Sequence, residues 1–310
     1  MYRKRTDLAL ETRELHAEKG KEDGITVTKR QVETVTVTAI EISPAGEASC
    51  GKAAGRYVTL EVGSVWRSQP HAFEAAATAL ARELGEMLPE GDGCVLVAGL
   101  GNRDITADSV GPKVVESLLV TRHIKTMDTE LFSEAGFGEL AALSPGVLGQ
   151  TGMESAEVLL GVVEKVKPRC VVVIDALASR RLERLASTLQ LSDTGICPGS
   201  GVSNHRAALN KKTLGVPVIS LGIPTVVDAG TLAFDLLEEL ALQEGCSPEA
   251  PILEKIVDGL QCGTGKDFFV TPKDSDALTS KAARLISAAI NLAVHEGMTL
   301  QDLAEYQSGW

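Results

Sequence analysis

Two hydrophobic patterns divide the chain, and they predict two kinds of β-structure. Residues 25–43 alternate Val, Ile and Thr with polar side chains, and residues 55–62 add another short segment of β-forming residues. A period of two is typical of antiparallel strands with one exposed face. From residue 94 onward the apolar segments are continuous, as expected for strands that are buried on both faces.

Helical segments with a period near 3.6 alternate with these continuous strands. Strands are predicted at residues 94–101, 170–177 and 215–224, and helices at 71–88, 154–167, 280–297 and from a cap in Thr106–Ser109 to about Leu119. The alternation indicates βαβ units. We therefore predict an α/β fold, a mostly parallel sheet flanked by helices, with an antiparallel β extension at residues 25–63 and a core at residues 94–230. Residues 1–24 are predicted to be loosely held, and residues 240–267 to form an irregular excursion.

Composition excludes several classes of protein. The chain has 310 residues with 44% apolar residues, which is typical of a packed globular protein. The formal net charge of -12 argues against a general nucleic-acid binder, because such proteins need a basic surface. No apolar run reaches the roughly 18 residues of a membrane span, and the charged N-terminus lacks the features of a secretory signal. The six scattered cysteines fit a reduced compartment, so we expect a cytoplasmic protein.

The loop after the first buried strand contains Gly99-Leu100-Gly101, which is part of a dinucleotide-binding pattern. The third glycine of that pattern is replaced by Asp104, whose carboxylate would repel a phosphate. The glycines are instead expected to let the chain turn sharply at the end of the strand. The loop therefore predicts a site for carboxylates rather than for a nucleotide, and Asp108 is its second acidic residue.

A second carboxylate follows the next buried strand, where Asp175 ends the run Val171–Ile174. Functional groups of open α/β sheets gather at the carboxyl ends of the strands, so Asp108 and Asp175 could lie side by side. Two nearby carboxylates can share a proton, one activating water and the other protonating a leaving group. Residue types alone leave open the alternative that these aspartates cap helices or pair with lysines.

Three other motifs offer alternative chemistry to this pair. Asp193-Thr194-Gly195 matches the catalytic tripeptide of two-lobed aspartic proteases, which need two copies of it. This chain has one copy in an α/β context, so we interpret it as a turn. Ser200 in a Pro-Gly-Ser-Gly segment lacks a well-placed His and Asp for nucleophilic catalysis. His205 could join two aspartates as a metal ligand, although no paired-histidine spacing supports this.

Several long segments, in collinear order, resemble the germination proteases of spore-forming Firmicutes. They include RTDLALE, GLGNRDITADSVGPKVVESLL, SPGVLGQTGMES, VIDALASRRLERLASTLQLSDTGICPGSGV and TLGVPVISLGIPTVVDA. The resemblance implies an atypical aspartic endopeptidase of α/β fold that degrades small acid-soluble spore proteins during germination. It places the catalytic aspartates at Asp108 and Asp175, without cofactor or metal.

The resemblance also implies an inactive precursor that cleaves itself between Asp7 and Leu8. Residues 1–7 would then be a propeptide and residues 8–310 a single protease domain, with the N-terminus acting as an exposed, tethered pseudo-substrate. The family further implies a homotetramer in the cytoplasm of the forespore and spore core, with small acid-soluble spore proteins as substrates and no direct contact with nucleic acid or membrane. Arg103, Arg180 and Arg181 are candidates for recognising acidic substrate side chains.

A smaller part of the chain resembles a second family. The Gly-Leu-Gly-Asn loop and Asp175 are similar to hydrogenase-maturation endopeptidases, which share this fold type and hold a metal between two carboxylates and a histidine. Here His205 would have to be the histidine ligand. The alternative hypothesis is therefore a metal-dependent endopeptidase of that kind.

Overall fold

A computed structural model describes residues 5–17, 23–63, 67, 69–198, 207–243, 255, 259 and 268–308. Its strands are β1 (Ile25–Val32), β2 (Val35–Ile42), β3 (Gly55–Glu61), β4 (Val95–Gly99), β5 (Leu140–Leu143), β6 (Cys170–Ser179), β7 (Thr188–Ser192), β8 (Val218–Asp228) and β9 (Phe269–Val270). They form one sheet in the order β1-β2-β3-β7-β8-β6-β4-β5, and β9 pairs with β8.

The sheet has a parallel half and an antiparallel half. Strands β5, β4, β6 and β8 pair in parallel, whereas β1, β2, β3 and β7 pair in antiparallel fashion and continue the sheet beyond β8. The antiparallel extension predicted at residues 25–63 is confirmed, and β7 joins it to the parallel strands. The early strands with the alternating pattern therefore lie in the antiparallel half, and the later strands with continuous apolar runs lie in the parallel half.

Helices cover both faces of the sheet. They are α1 (Ala9–Ala17), α2 (Pro44–Cys50), α3 (Pro70–Met87), α4 (Val110–Glu116), α5 (Arg122–Met127), α6 (Thr129–Glu134), α7 (Leu148–Thr151), α8 (Ser155–Val166), α9 (Lys211–Leu214), α10 (Ala229–Gln243), α11 (Ser275–Val294) and α12 (Leu300–Ser308). None of the described helices combines the length and the apolar character that a membrane span requires.

The largest core cluster joins α3, α4 and α11 to one face of the sheet, through residues such as Leu80, Val114 and Ile286. A second cluster joins α8 and α9 to the other face, through Leu159 and Leu214. Each fully buried Leu or Ile contributes about 1.5–3 kcal/mol to the free energy of unfolding. The predicted α/β fold, a sheet flanked by helices, is confirmed.

Some boundaries differ from the predictions. The helix predicted to reach Leu119 is α4, which ends at Glu116 and is preceded by a 3₁₀ turn at Thr106–Asp108. The Ser109 hydroxyl donates to the Thr106 carbonyl oxygen at 2.8 Å instead of capping α4. Residues 240–243 of the predicted excursion belong to α10, and most of its remainder lies outside the described residues.

Candidate active site

Asp175 lies within β6, at the level where the neighbouring strand β4 ends. The Leu100 N–H, just beyond β4, donates to the Ile174 carbonyl oxygen at 2.8 Å, so the Gly99–Gly101 loop begins beside Asp175. The Asp175 side chain is only 7% exposed, and its Oδ1 accepts the Ala176 N–H at 3.0 Å. A buried strand thus presents this carboxylate at the carboxyl end of the parallel sheet.

Asp108 is held by the glycine loop itself. Gly101 has a φ of 110°, and a Cβ added there would lie 2.0 Å from the Asp108 carbonyl oxygen and 2.9 Å from its Oδ1. A glycine is therefore required for this close approach. The Asn102 N–H donates to Asp108 Oδ2 at 2.7 Å. The loop binds a carboxylate of its own chain, in the position where a dinucleotide fold would bind phosphate.

The two aspartates lie at the same edge of the sheet. The 3₁₀ turn that carries Asp108 contacts both β6 and β8. The Thr225 hydroxyl of β8 donates to the Ala107 carbonyl oxygen at 2.7 Å and anchors the turn there. Since β8 pairs with β6 at Asp175 and Gly222, the turn lies over the strand that bears Asp175. The catalytic role of the pair stays a prediction.

The N-terminal segment is bound to the same strand. The Asp7 N–H donates to the Ala178 carbonyl oxygen at 2.9 Å, and the Ala178 N–H donates to Asp7 Oδ2 at 2.8 Å. Leu8 and Glu11 are completely buried, and α1 begins at Ala9. The prediction of a loosely held, exposed N-terminus is therefore wrong for residues 5–17, because apolar and paired side chains fasten this segment to the sheet.

The carbonyl oxygen of Asp7 receives two side-chain donors. Lys52 Nζ lies 2.8 Å from it and Gln190 Nε2 lies 3.2 Å from it. Gln190 Oε1 also accepts the Ala9 N–H at 2.6 Å, so this side chain contacts backbone on both sides of Leu8. Burial lowers the pKa of the Lys52 amine, and the negative charges of Asp7 and Glu11 oppose that shift. Sequence reasoning missed Lys52 and Gln190, which no motif distinguishes.

The carboxylate of Glu11 is held by the chain that follows β6. The backbone N–H groups of Arg180 and Arg181 donate to it at 2.6 and 3.0 Å, and a guanidinium nitrogen of Arg184 lies 3.4 Å away. The Thr6 hydroxyl also donates to Glu11. Charge-assisted bonds of this kind are about twice as strong as neutral ones. The fold therefore provides a binding site for the carboxylate of the residue that lies four positions after Asp7.

The predicted recognition arginines are placed differently from one another. The Arg180 side chain is buried and pairs with Asp235 at 2.9 Å, and its backbone N–H donates to Glu11 in the N-terminal segment. Arg103 forms an exposed pair with Glu116 at 2.6 Å. Arg184, which the sequence reasoning missed, is the arginine whose charge contacts this segment most closely.

Acid should loosen α1 through Glu14. Burial would raise the pKa of Glu14, but the hydrogen bond from Arg184 and the charges of Arg184, Arg181 and Arg180 outweigh it and lower the pKa from its ordinary 4.5. The stabilisation is therefore complete above that ordinary value and is lost as pH falls through the lower pKa of the folded state. We expect amide exchange in α1 to accelerate below about pH 4.5. Mass spectrometry across pH 3–7, corrected for intrinsic exchange, measures this effect, and Glu14→Gln should reduce it; equal pH dependence in that variant would contradict the assignment.

Of the other candidate motifs, one forms a turn after β7 and two lie outside the described residues. Asp193-Thr194-Gly195 forms the turn after β7, as predicted, and Asp193 Oδ1 accepts the Arg56 N–H at 2.8 Å. Ser200 and His205 lie outside the described residues. Within the part of the chain that the structure describes, no three His, Cys, Asp or Glu side chains come together in a metal-binding group.

Comparisons with known proteins identify relatives over almost the whole chain. A family model described as germination protease matches residues 4–244. The germination protease of Caldanaerobacter subterraneus is 42% identical, with 96% of each chain covered. Those of Clostridium perfringens and Bacillus cereus are 39% and 35% identical, covering 99% and 98% of this chain and 99% and 97% of the relatives.

Among solved structures, one match is the [NiFe] hydrogenase maturation protease HycI from Thermococcus kodakarensis. It is 17% identical to this chain, and the alignment covers 67% of this chain and 98% of HycI with a TM-score of 0.35.

Proposed function

Because the chain belongs to the germination protease family, we propose that it is the endopeptidase that begins the degradation of small acid-soluble spore proteins during germination. The proposal includes synthesis as a precursor that removes residues 1–7 by cleaving its own Asp7–Leu8 bond. We also propose that it works as a homotetramer in the forespore and spore core. Family membership supports the protease activity, and the geometry around Asp7 supports the self-cleavage.

The proposed chemistry uses Asp108 and Asp175 as a pair that shares one proton. One carboxylate takes a proton from water as the water oxygen attacks the carbonyl carbon, and the other protonates the departing amine nitrogen. The two carboxyl groups would titrate as a coupled unit, so the roles of base and acid belong to the pair rather than to either residue. The low exposure of Asp175 favours such a pair, because burial disfavours an isolated negative charge on its carboxyl group.

The single observation that carries the proposal is the position of the N-terminal segment. Asp7 is hydrogen-bonded to Ala178, three residues beyond Asp175 on β6 (178 − 175), which is about 10 Å along a strand. The acidic residue, the apolar Leu8 and the anchored Glu11 are thus held in a fixed register on the strand that bears Asp175. Such binding is expected of a substrate-like segment.

Intact mass spectrometry tests the proposal. Incubation of the full chain should release a fragment of residues 1–7 and leave a chain that begins at Leu8. The processed chain, mixed with a small acid-soluble spore protein, should then cut it after an acidic residue that precedes an apolar one. An unchanged mass after prolonged incubation, together with an intact spore protein, would contradict both parts of the proposal.

A further inference from the structure

The Asp7 carbonyl oxygen is surrounded by donors that no backbone pairing requires. Lys52 comes from the loop between α2 and β3, and Gln190 comes from the middle of β7, yet both side chains end at the same oxygen, at 2.8 and 3.2 Å. Lys52 is partly buried and Gln190 is 8% exposed. A desolvated ammonium and an amide N–H that converge on one carbonyl are suited to bind a negative charge that develops on its oxygen.

The sheet register relates this oxygen to Asp175. Gln190 pairs with Gly222 across β7 and β8, and Gly222 pairs with Asp175 across β8 and β6. Directly paired residues point to the same face of a sheet, so the side chains of Gln190 and Asp175 point to one face, and the Leu177 side chain packs over Gly222 between them. Two strand spacings, about 10 Å, separate their Cα atoms.

We propose that Lys52 and Gln190 form the oxyanion-binding pair for cleavage of the Asp7–Leu8 bond. This inference rests on the proposed function, since it needs that bond to be the one cleaved. It assigns a direct catalytic contact to two residues that lie outside the aspartate pair.

The step balances with water as the only co-reactant. The water oxygen bonds to the Asp7 carbonyl carbon, a water proton passes to the aspartate pair, and the π-electron pair of the carbonyl moves to its oxygen. Lys52 Nζ and Gln190 Nε2 donate to that oxyanion without losing their protons. The electron pair then re-forms the carbonyl, the bond to the Leu8 nitrogen breaks, and the aspartate pair returns a proton to that nitrogen.

Gln190 contributes a second effect, which is orientation. Its Oε1 accepts the Ala9 N–H while its Nε2 donates to the Asp7 oxygen, so one rigid amide group fixes backbone on both sides of Leu8. Holding a reacting bond in one orientation reduces the entropy that the reaction must otherwise lose.

Self-cleavage of the full chain tests the pair, because the bond is already bound and its first-order rate constant reports the chemical step. Lys52→Met should reduce that rate constant by about 10²–10³-fold, as loss of an oxyanion donor does. Lys52→Arg, which keeps a charged donor, should restore part of the rate, and Gln190→Met should also slow the reaction. Lys165→Met, on the exposed side of α8, is the matched control and should cleave at the wild-type rate.

Amide exchange in α1 distinguishes an effect on the chemical step from an effect on the binding of the N-terminal segment to the sheet. The proposed pair is supported if Lys52→Met cleaves slowly while its α1 amides keep the wild-type protection, and if Lys52→Arg restores part of the rate. Cleavage by Lys52→Met and Gln190→Met within about 3-fold of wild type overturns it, and so does slowing that accompanies loss of α1 protection without rescue by arginine. Wild type and Asp175→Asn are run in parallel: if wild type does not cut after Asp7, or Asp175→Asn does, the proposed function fails rather than this inference alone.

Discussion

Replacing Asp175 by asparagine should abolish release of residues 1–7 while the chain still folds. Asparagine has the same shape, and its carbonyl oxygen can still accept the Ala176 N–H that Asp175 Oδ1 accepts at 3.0 Å. It cannot take a proton from water, so the pair loses its capacity for acid–base chemistry. Loss of a positioned acid–base group reduces rates by about 10²–10⁴-fold, and we expect the upper end because the remaining carboxylate has no partner with which to share a proton.

The measurement is the amount of chain beginning at Leu8, quantified by mass spectrometry over a time course. Asp108→Asn should behave in the same way, since Asp108 is the other member of the proposed pair. Asp104→Asn is a matched control from the same loop: Asp104 is exposed and accepts a hydrogen bond from Gln150 at 3.3 Å. Processing by Asp175→Asn at the wild-type rate would refute the aspartate mechanism, and slow processing by Asp104→Asn would show that the loop as a whole, rather than the pair, was disturbed.

The features that sequence predicted are those set by local pattern. Continuous apolar runs marked the strands β4, β6 and β8, and a period of two marked β1 and β2, because burial on one face or two leaves its signature in consecutive residues. The replacement of a third glycine by Asp104 predicted a loop for carboxylates rather than for a phosphate, and the structure shows Gly101 in close contact with Asp108.

The features that sequence missed depend on pairings between distant segments. Gln190 faces the Asp7 carbonyl only because β7 joins β8 in a register that no local pattern encodes. Lys52 is an ordinary polar residue in a loop until the fold brings Asp7 to it across 45 positions (52 − 7). The N-terminus appeared exposed because its charge dominates its composition, whereas Glu11 is buried by groups that lie about 170 residues away.

Replacing Glu11 by alanine should release α1 from the sheet. The substitution leaves the Arg180 and Arg181 N–H groups without their acceptor and removes the buried partner of Arg184. Removal of one partner from a buried charge pair costs about 3–5 kcal/mol. At 1.36 kcal/mol per tenfold change in an equilibrium constant, protection of the α1 amides against exchange should fall by about 10²–10⁴-fold.

The same substitution should slow self-cleavage, because the Asp7–Leu8 bond is no longer held against β6, the strand that bears Asp175. Glu14→Gln is the matched control on the same helix: Glu14 also pairs with Arg184, but its side chain is 27% exposed, so water compensates for much of what is lost. Exchange measured by mass spectrometry on peptides covering residues 9–17 should therefore rank the two variants, with the larger loss of protection in Glu11→Ala. Equal protection in wild type and Glu11→Ala would mean that the contacts of the Glu11 carboxylate contribute nothing to the binding of this segment to the sheet. Rapid cleavage by a variant whose α1 is fully released would mean that the bond reaches the aspartates by a route other than the one the register defines.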